Sequence, residues 1–149
     1  MKTSHSIISE HVYRGKISGH VNSVTRLIYG AKFFNDRKSF DALVKLCAGD
    51  IHKSDFDCIV PVNTRDSKFN LPANMAKQIA SILKIRFIDA IYDHNTKCRT
   101  SIKGLRVLVF DDVIYTGKTM LTAKKSVKAA GAASVTGFAI AKSKSFIIN

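Results

Sequence analysis

Apolar residues recur along this chain in two rhythms. In the first third, Val24, Leu27 and Ile28, then Leu43, Val44 and Cys47, fall at helical intervals. They predict helical segments from about Ile17 to Phe34 and from Ser39 to Ala48. CIVPV, Cys58 to Val62, is short and apolar and runs into the polar stretch NTRDSKFN. It predicts a buried strand with Pro61 near its end, because proline is poorly tolerated mid-sheet. Ala73, Ala76, Ile79, Ala80 and Leu83 mark a helix whose other face carries Lys77, Ser81 and Lys84. RFIDAIY, Arg86 to Tyr92, reads as a second strand, followed by the polar loop DHNTKCRTSIK. LRVLVF, Leu105 to Phe110, is a third strand, apolar on both faces as in parallel sheets. Met120, Ala123, Val127 and Ala130 form one helical face that Gly131 closes. Leu121 falls outside that face, among the lysines. SVTGFAIA, Ser134 to Ala141, is a fourth strand.

The order strand, helix, strand, strand, helix, strand predicts an α/β sheet with crossover helices. One domain is expected over 1–149, with a helical lead segment at about 1–50 and an α/β core at 55–142. Hydrophobic content of 46% and charged content of 23% are globular values. No apolar run approaches the roughly 18–20 residues of a membrane helix. The opening MKTSHSIISEHVYRG has no apolar signal core, and the three cysteines form no CxxC pair. A cytoplasmic protein with reduced thiols is the expectation. A formal charge of +13 changes the picture by pointing to polyanionic partners, either DNA or RNA or phosphate-rich small molecules. Lysine outnumbers arginine, the better bidentate reader of bases and phosphates, which weakens the nucleic-acid reading. Lys124, Lys125 and Lys128 are expected in solvent, and the five histidines form no metal-binding spacing.

Against that basic background, Asp111 and Asp112 stand side by side where LRVLVF ends. In open parallel sheets, ligands bind beyond the carboxyl ends of the strands. Two adjacent acceptor-only groups suit the vicinal hydroxyls of a sugar or a hydrated divalent cation. Thr116-Gly117-Lys118-Thr119 then leads into a helix, where amides and hydroxyls can cradle a phosphate. Lys118 is poorly placed for the helix dipole alone and well placed once an anion binds. A ribose 5-phosphate would bridge the two features.

The same stretch, VLVFDDVIYTGKT, resembles the phosphoribosyl-pyrophosphate-binding motif of type I phosphoribosyltransferases: a hydrophobic strand, two acidic residues, an apolar pair and a T-G-x-T loop. Tyr115 stands where threonine is usual. YRGKISGHVNSVTRLIYGAKFFNDRKSFDALVKL and IVPVNTRDSKFNLPANMAKQIA resemble the competence-associated, ComF-type branch. In the second segment a Phe69-Asn70 pair follows Arg65 and Lys68. The resemblance runs from about Tyr13 to Ala141, and the cysteine-rich zinc module that opens many ComF proteins is not expected here.

The resemblance implies a type I phosphoribosyltransferase-like parallel sheet with flanking helices and a small N-terminal helical hood. It also implies a Mg²⁺-dependent transfer of phosphoribose from phosphoribosyl pyrophosphate to a nitrogenous acceptor. Asp111 and Asp112 would hold the ribose hydroxyls or the metal shell. Val113, Tyr115, Thr116, Gly117, Lys118 and Thr119 would form the 5-phosphate loop, and Asn63, Thr64 and Arg65 would bind pyrophosphate. The segment 93–103 would be a closing lid, bringing Lys97, Arg99 or Lys103 as the catalytic cation. That segment is short, and both it and the net charge favour an alternative: a phosphoribosyl-pyrophosphate-binding or nucleic-acid-associated protein, in DNA uptake, defence or regulation, with weak or no transferase activity. The acceptor is not legible, and a homodimer is compatible with the exposed apolar residues.

Overall fold

The computed structural model describes residues 7–8, 11–13, 23–64 and 70–143. Two short strands, β1 (Ile7–Ile8) and β2 (His11–Tyr13), come first, then α1 (Ser23–Phe33) and α2 (Arg37–Asp50). The core follows as β3 (Cys58–Pro61), α3 (Leu71–Leu83) and β4 (Arg86–Phe87). A hairpin of β5 (Ile91–Tyr92) and β6 (Lys97–Cys98) leads to β7 (Arg106–Ile114), α4 (Lys118–Ala129) and β8 (Ser134–Ser143).

The main sheet runs β1, β8, β7, β3, β4, with β2 also on β8, and every pairing in it is parallel. From β3 the chain goes through α3 to β4 on one side, then crosses to β7 on the other. The neighbours β3 and β7 therefore mark a reversal in strand order, and a crevice opens between the loops that leave them. The α3 and α4 crossovers cover opposite faces. Ile59, Leu108, Phe110 and Phe138 pack with Met75 and Ile79 of α3 and with Leu43 and Val44 of α2. Cys58, Val60, Val107 and Val109 pack with Met120, Ala123 and Val127 of α4. Phe110 and Phe138 stack with ring centroids 5.7 Å apart. Burial of side chains this size contributes roughly 1.5–3 kcal/mol each.

The helix boundaries have local causes. Asn35, at φ 51°, turns the chain out of α1, and Asp36 caps α2 by accepting from the Lys38 amide and from Ser39 Oγ at 2.6 Å. A Cβ on Gly30 would collide with Ser39 Oγ, so this glycine sets how closely α1 and α2 approach. Asn70 caps α3 through the Ala73 amide at 3.1 Å, with proline in the first turn. Gly131, at φ 101°, ends α4 as its sequence position suggested.

Several expectations need correction. Arg86 to Tyr92 is not one strand. Only Arg86–Phe87 joins β3, and Ile91–Tyr92 turns away to pair with Lys97–Cys98. The third strand does not stop at Phe110 but continues to Ile114 along β8. The N-terminal third contributes strands β1 and β2 as well as helices, and α1 and α2 are part of a core layer. Lys124 is 1% exposed, and burial pushes its amine down to about 8. Leu121 is exposed. Among the described residues no helix is long and apolar enough to cross a membrane.

Candidate active site

The aspartates sit inside a strand, yet their side chains behave as one unit. In a regular strand, consecutive side chains point to opposite faces. Here the alternation breaks: Phe110 and Val113, three apart, both enter the layer beneath α2 and α3, whereas Val109 and Ile114 enter the layer beneath α4. Asp111 and Asp112 occupy the step, and both line one cavity of about 490 Å³.

Both are almost fully buried, 8% and 7% exposed. Asp111 Oδ1 accepts from the Asp112 amide, and Asp112 Oδ1 from the Val113 amide, each at 2.7 Å. Burial first, and then the adjacent Asp112 carboxylate, hold the Asp111 carboxyl well above the usual carboxylate range. Lys32, in the last turn of α1, brings its Nζ to 3.4 Å from Asp112 Oδ2. A helix C-terminus favours a cation at that position.

The cavity's other walls are the two loops at the crevice and the tip of the hairpin. Asn63 and Thr64 come from the loop after β3, and Leu71 and Pro72 from the start of α3. Tyr115 comes from the segment joining β7 to α4, and Thr119 from the first turn of α4. Gly117 adopts φ 86° as the N-cap of α4 and supplies no side-chain cap, so the start of the helix can turn amides toward an outside acceptor. Thr116 Oγ1 accepts from the Lys118 amide at 3.2 Å, and Thr116, Lys118 and Thr119 are exposed. The structure thus gathers Asp111, Asp112, Val113, Tyr115, Thr119, Asn63 and Thr64 around one space, whereas Thr116, Gly117 and Lys118, between Tyr115 and Thr119 in the chain, do not line it. Arg65 lies outside the described residues.

The segment 93–103 is placed differently from a lid. Asp93, His94 and Asn95 take successive left-handed conformations, φ 53°, 54° and 69°, and fold the hairpin tip back. The tip is anchored: Ser126 Oγ of α4 donates to the Asn95 carbonyl at 2.6 Å, and Ile102 beyond β6 is fully buried. Lys97 pairs with Asp93 at 3.7 Å, and the Arg99 guanidinium lies 5.2 Å from the centre of the Tyr92 ring. Neither lines the cavity. Lys103 packs beside Gly131, at the opposite end of α4 from the cavity. In this conformation, the basic side chain expected from the segment is not in the site.

Among the cavity residues to which sequence reasoning gave no individual role, Asn95 and Lys32 stand out by their contacts. Asn95 is 6% exposed, and its side chain accepts from the Asn63 amide at 2.8 Å and donates to the Asn63 carbonyl at 3.0 Å. It completes both backbone groups of the residue that opens the loop after β3. The run Asp-His-Asn, rich in types that tolerate a left-handed turn, was the available signal. Lys32 had none, because a lysine in a helix is ordinary until the fold brings it across to Asp112.

No protein-family model and no curated protein matches the sequence. Solved structures do match in shape. Orotate phosphoribosyltransferase from Aeropyrum pernix superposes with a TM-score of 0.58 at 16% identity, over 85% of this chain and 68% of that one. Purine phosphoribosyltransferase from Pyrococcus horikoshii gives 0.52 at 24%, over 68% and 71%. Adenine phosphoribosyltransferase from Trypanosoma brucei, in complex with AMP, pyrophosphate and ribose-5-phosphate, gives 0.52 at 15%, over 78% and 69%.

The fold is that of the type I phosphoribosyltransferases. Identities this low extend the likeness to architecture and no further.

Proposed function

We propose that this chain is a phosphoribosyltransferase that uses phosphoribosyl pyrophosphate as its sugar donor, with an acceptor still to be identified. One observation carries the reading: two nearly buried aspartates share a cavity of about 490 Å³ with the first turn of α4, through Thr119, and with the loop after β3. The Trypanosoma brucei neighbour is described in complex with pyrophosphate and ribose-5-phosphate, two pieces of such a donor.

In this reading the amides and hydroxyls of Thr116 to Thr119 bind the 5-phosphate, with the helix terminus adding a favourable dipole. Val113 and Tyr115 flank that loop. Asp111 and Asp112 accept from the ribose hydroxyls, and Asn63, Thr64 and Arg65 hold the pyrophosphate. An acceptor nitrogen attacks C1 as the C1–oxygen bond to pyrophosphate breaks, and the displaced pyrophosphate leaves with both electrons of that bond. The buried doublet favours the positive charge that develops on the sugar.

Magnesium fits the donor set in part. Two neighbouring carboxylates are hard oxygen ligands, and Mg²⁺ is commonly held by one or two carboxylates plus substrate phosphates. Among the described residues no cluster of three metal-ligating side chains exists, so phosphate oxygens and water would complete the shell. When bound, the ion would supply neutralising charge to the pyrophosphate.

The test is pyrophosphate release from the donor, with Mg²⁺, across a panel of nitrogenous bases, comparing wild type with Asp112→Ala. Turnover that the substitution abolishes is the expected result. A second reading, a donor-binding protein with little or no transfer, draws on the docked hairpin that keeps Lys97 and Arg99 out of the cavity. Donor binding without turnover would select it, and salt-sensitive retention on DNA or RNA would extend it to a nucleic-acid-associated role. Membership of the ComF-type branch, a cytoplasmic location and a homodimer remain part of the proposal.

A further inference from the structure

Phosphoribosyl pyrophosphate is a polyanion, and a site that takes it must meet its charge with cations. Lys32 is the only lysine or arginine among the described residues that line the cavity. The basic side chains of the hairpin segment are turned to Asp93, Tyr92 and the Gly131 corner. Lys32 also differs from them in its partner. Its ammonium is 3.4 Å from Asp112 Oδ2, and its side chain is 37% exposed against 10% for Asp112. It therefore lies where the doublet meets the open space, beside Phe33, whose ring centre is 5.9 Å from Nζ.

We infer that Lys32 is a pyrophosphate-binding residue of this site, held in reserve on Asp112 until a divalent cation takes that carboxylate. The inference rests on the donor-binding reading above and adds a cation to it from an unexpected element, the last turn of α1. The physical reason is competition for one carboxylate. With no metal, Lys32 is the cation paired with Asp112 among the described residues. Asp111 and Asp112, were they to hold a divalent ion, would no longer need the ammonium, and the added positive charge would disfavour it there. A lysine is a point charge on a flexible stem, so its Nζ can swing away while α1 stays packed through Ile28 and Ala31. The nearest anion then available is the pyrophosphate. Asp112 would then serve the metal and Lys32 the leaving group.

This arrangement predicts effects of opposite sign from one substitution. In calorimetric titrations of the full chain, Lys32→Met should bind Mg²⁺ alone about two- to fivefold more tightly than wild type, because the competing exposed ion pair is gone. The same variant should bind Mg-pyrophosphate about tenfold or more weakly, the usual cost of removing a charged hydrogen-bond donor. Lys32→Arg should recover most of the pyrophosphate affinity. A merely structural lysine would weaken both ligands together, or neither.

Unchanged Mg²⁺ affinity in Lys32→Met overturns the reserve on Asp112. Unchanged pyrophosphate affinity overturns the binding role while the donor reading stands. Absence of donor and pyrophosphate binding in wild type overturns both. Should Lys32→Met fold poorly, Lys32→Gln, which keeps a long polar side chain without the charge, is titrated in the same way.

Discussion

At the start of β7, Arg106 holds Asp57 from three directions. Its backbone amide and Nε donate to Oδ2 at 2.8 and 3.2 Å, and Nη2 donates to Oδ1 at 2.9 Å. Nη1 reaches the Ser54 carbonyl at 2.8 Å. The guanidinium lowers the Asp57 carboxyl to about 2. At the far end of the same strand, Asp111 is held well above the usual range by burial and by the carboxylate of Asp112 beside it. One end of β7 gives its carboxylate a complete internal partner. The other buries two carboxylates together and, among the described residues, sets Lys32 3.4 Å from the second. The first arrangement closes a structural corner. The second keeps two carboxylates buried side by side against an open cavity, as expected where a site rather than a joint is being built.

The contrast can be broken most forcefully at the doublet. Asp112→Ala should lower pyrophosphate release by on the order of 10²-fold or more, with little change in melting temperature, by loss of a preorganised charge. Asp57→Ala should leave the chemistry intact, and equal losses of turnover in the two variants would erase the distinction. Next comes Asn95→Ala, which removes both bonds to the Asn63 backbone. It should weaken Mg-pyrophosphate binding on the order of tenfold. Asn95→Asp, which keeps the acceptor for the Asn63 amide, should lose less through geometry but add a charge that repels the ligand, so calorimetry on both variants separates positioning from electrostatics.

The two remaining predictions concern stability and have opposite pH signatures. Asp111→Asn, measured without divalent cations, should raise the melting temperature by a few degrees near neutral pH, at roughly 2–4 °C per kcal/mol of relieved desolvation for a chain this size. Because folding raises this carboxyl's pKa, wild type is not penalised below about pH 4, the ordinary value for aspartate. The advantage of the variant therefore grows as pH rises through the folded value. Asp57→Ala should lower the melting temperature by a smaller amount. Folding lowers that pKa, so the contribution of Asp57 is complete above about pH 4. It fades as pH falls toward the folded value of about 2. Thermal melts from pH 2 to 8 test both signs.

Much of this was legible beforehand because periodicity is a local property. CIVPV and LRVLVF could be read as buried strands, and Ala73 to Leu83 as a one-sided helix, since each pattern lies within a few turns or residues of chain. The doublet and the T-G-K-T turn were legible for the same reason: their chemistry is contiguous. What escaped was long in range. Arg86 to Tyr92 reads as one strand, but its second half leaves the sheet to meet Lys97 and Cys98. The lysines of α4 alternate with its apolar positions, yet Lys124 is buried while Lys125 and Lys128 are exposed.

By itself, the sequence determined the α/β order, the acid pair at the end of a hydrophobic strand and the glycine that opens α4. These depend on neighbours along the chain: side-chain spacing, an acceptor pair, a left-handed φ that glycine adopts freely. Only the tertiary structure decided that Lys32 would face Asp112, that Asn95 would bind the backbone of Asn63, and that Lys97 and Arg99 would lie outside the cavity. Those outcomes follow from how α1 and the β5–β6 hairpin pack against the sheet, and the contacts involved join residues 32 to 80 positions apart, where no local pattern records which partner a side chain will meet.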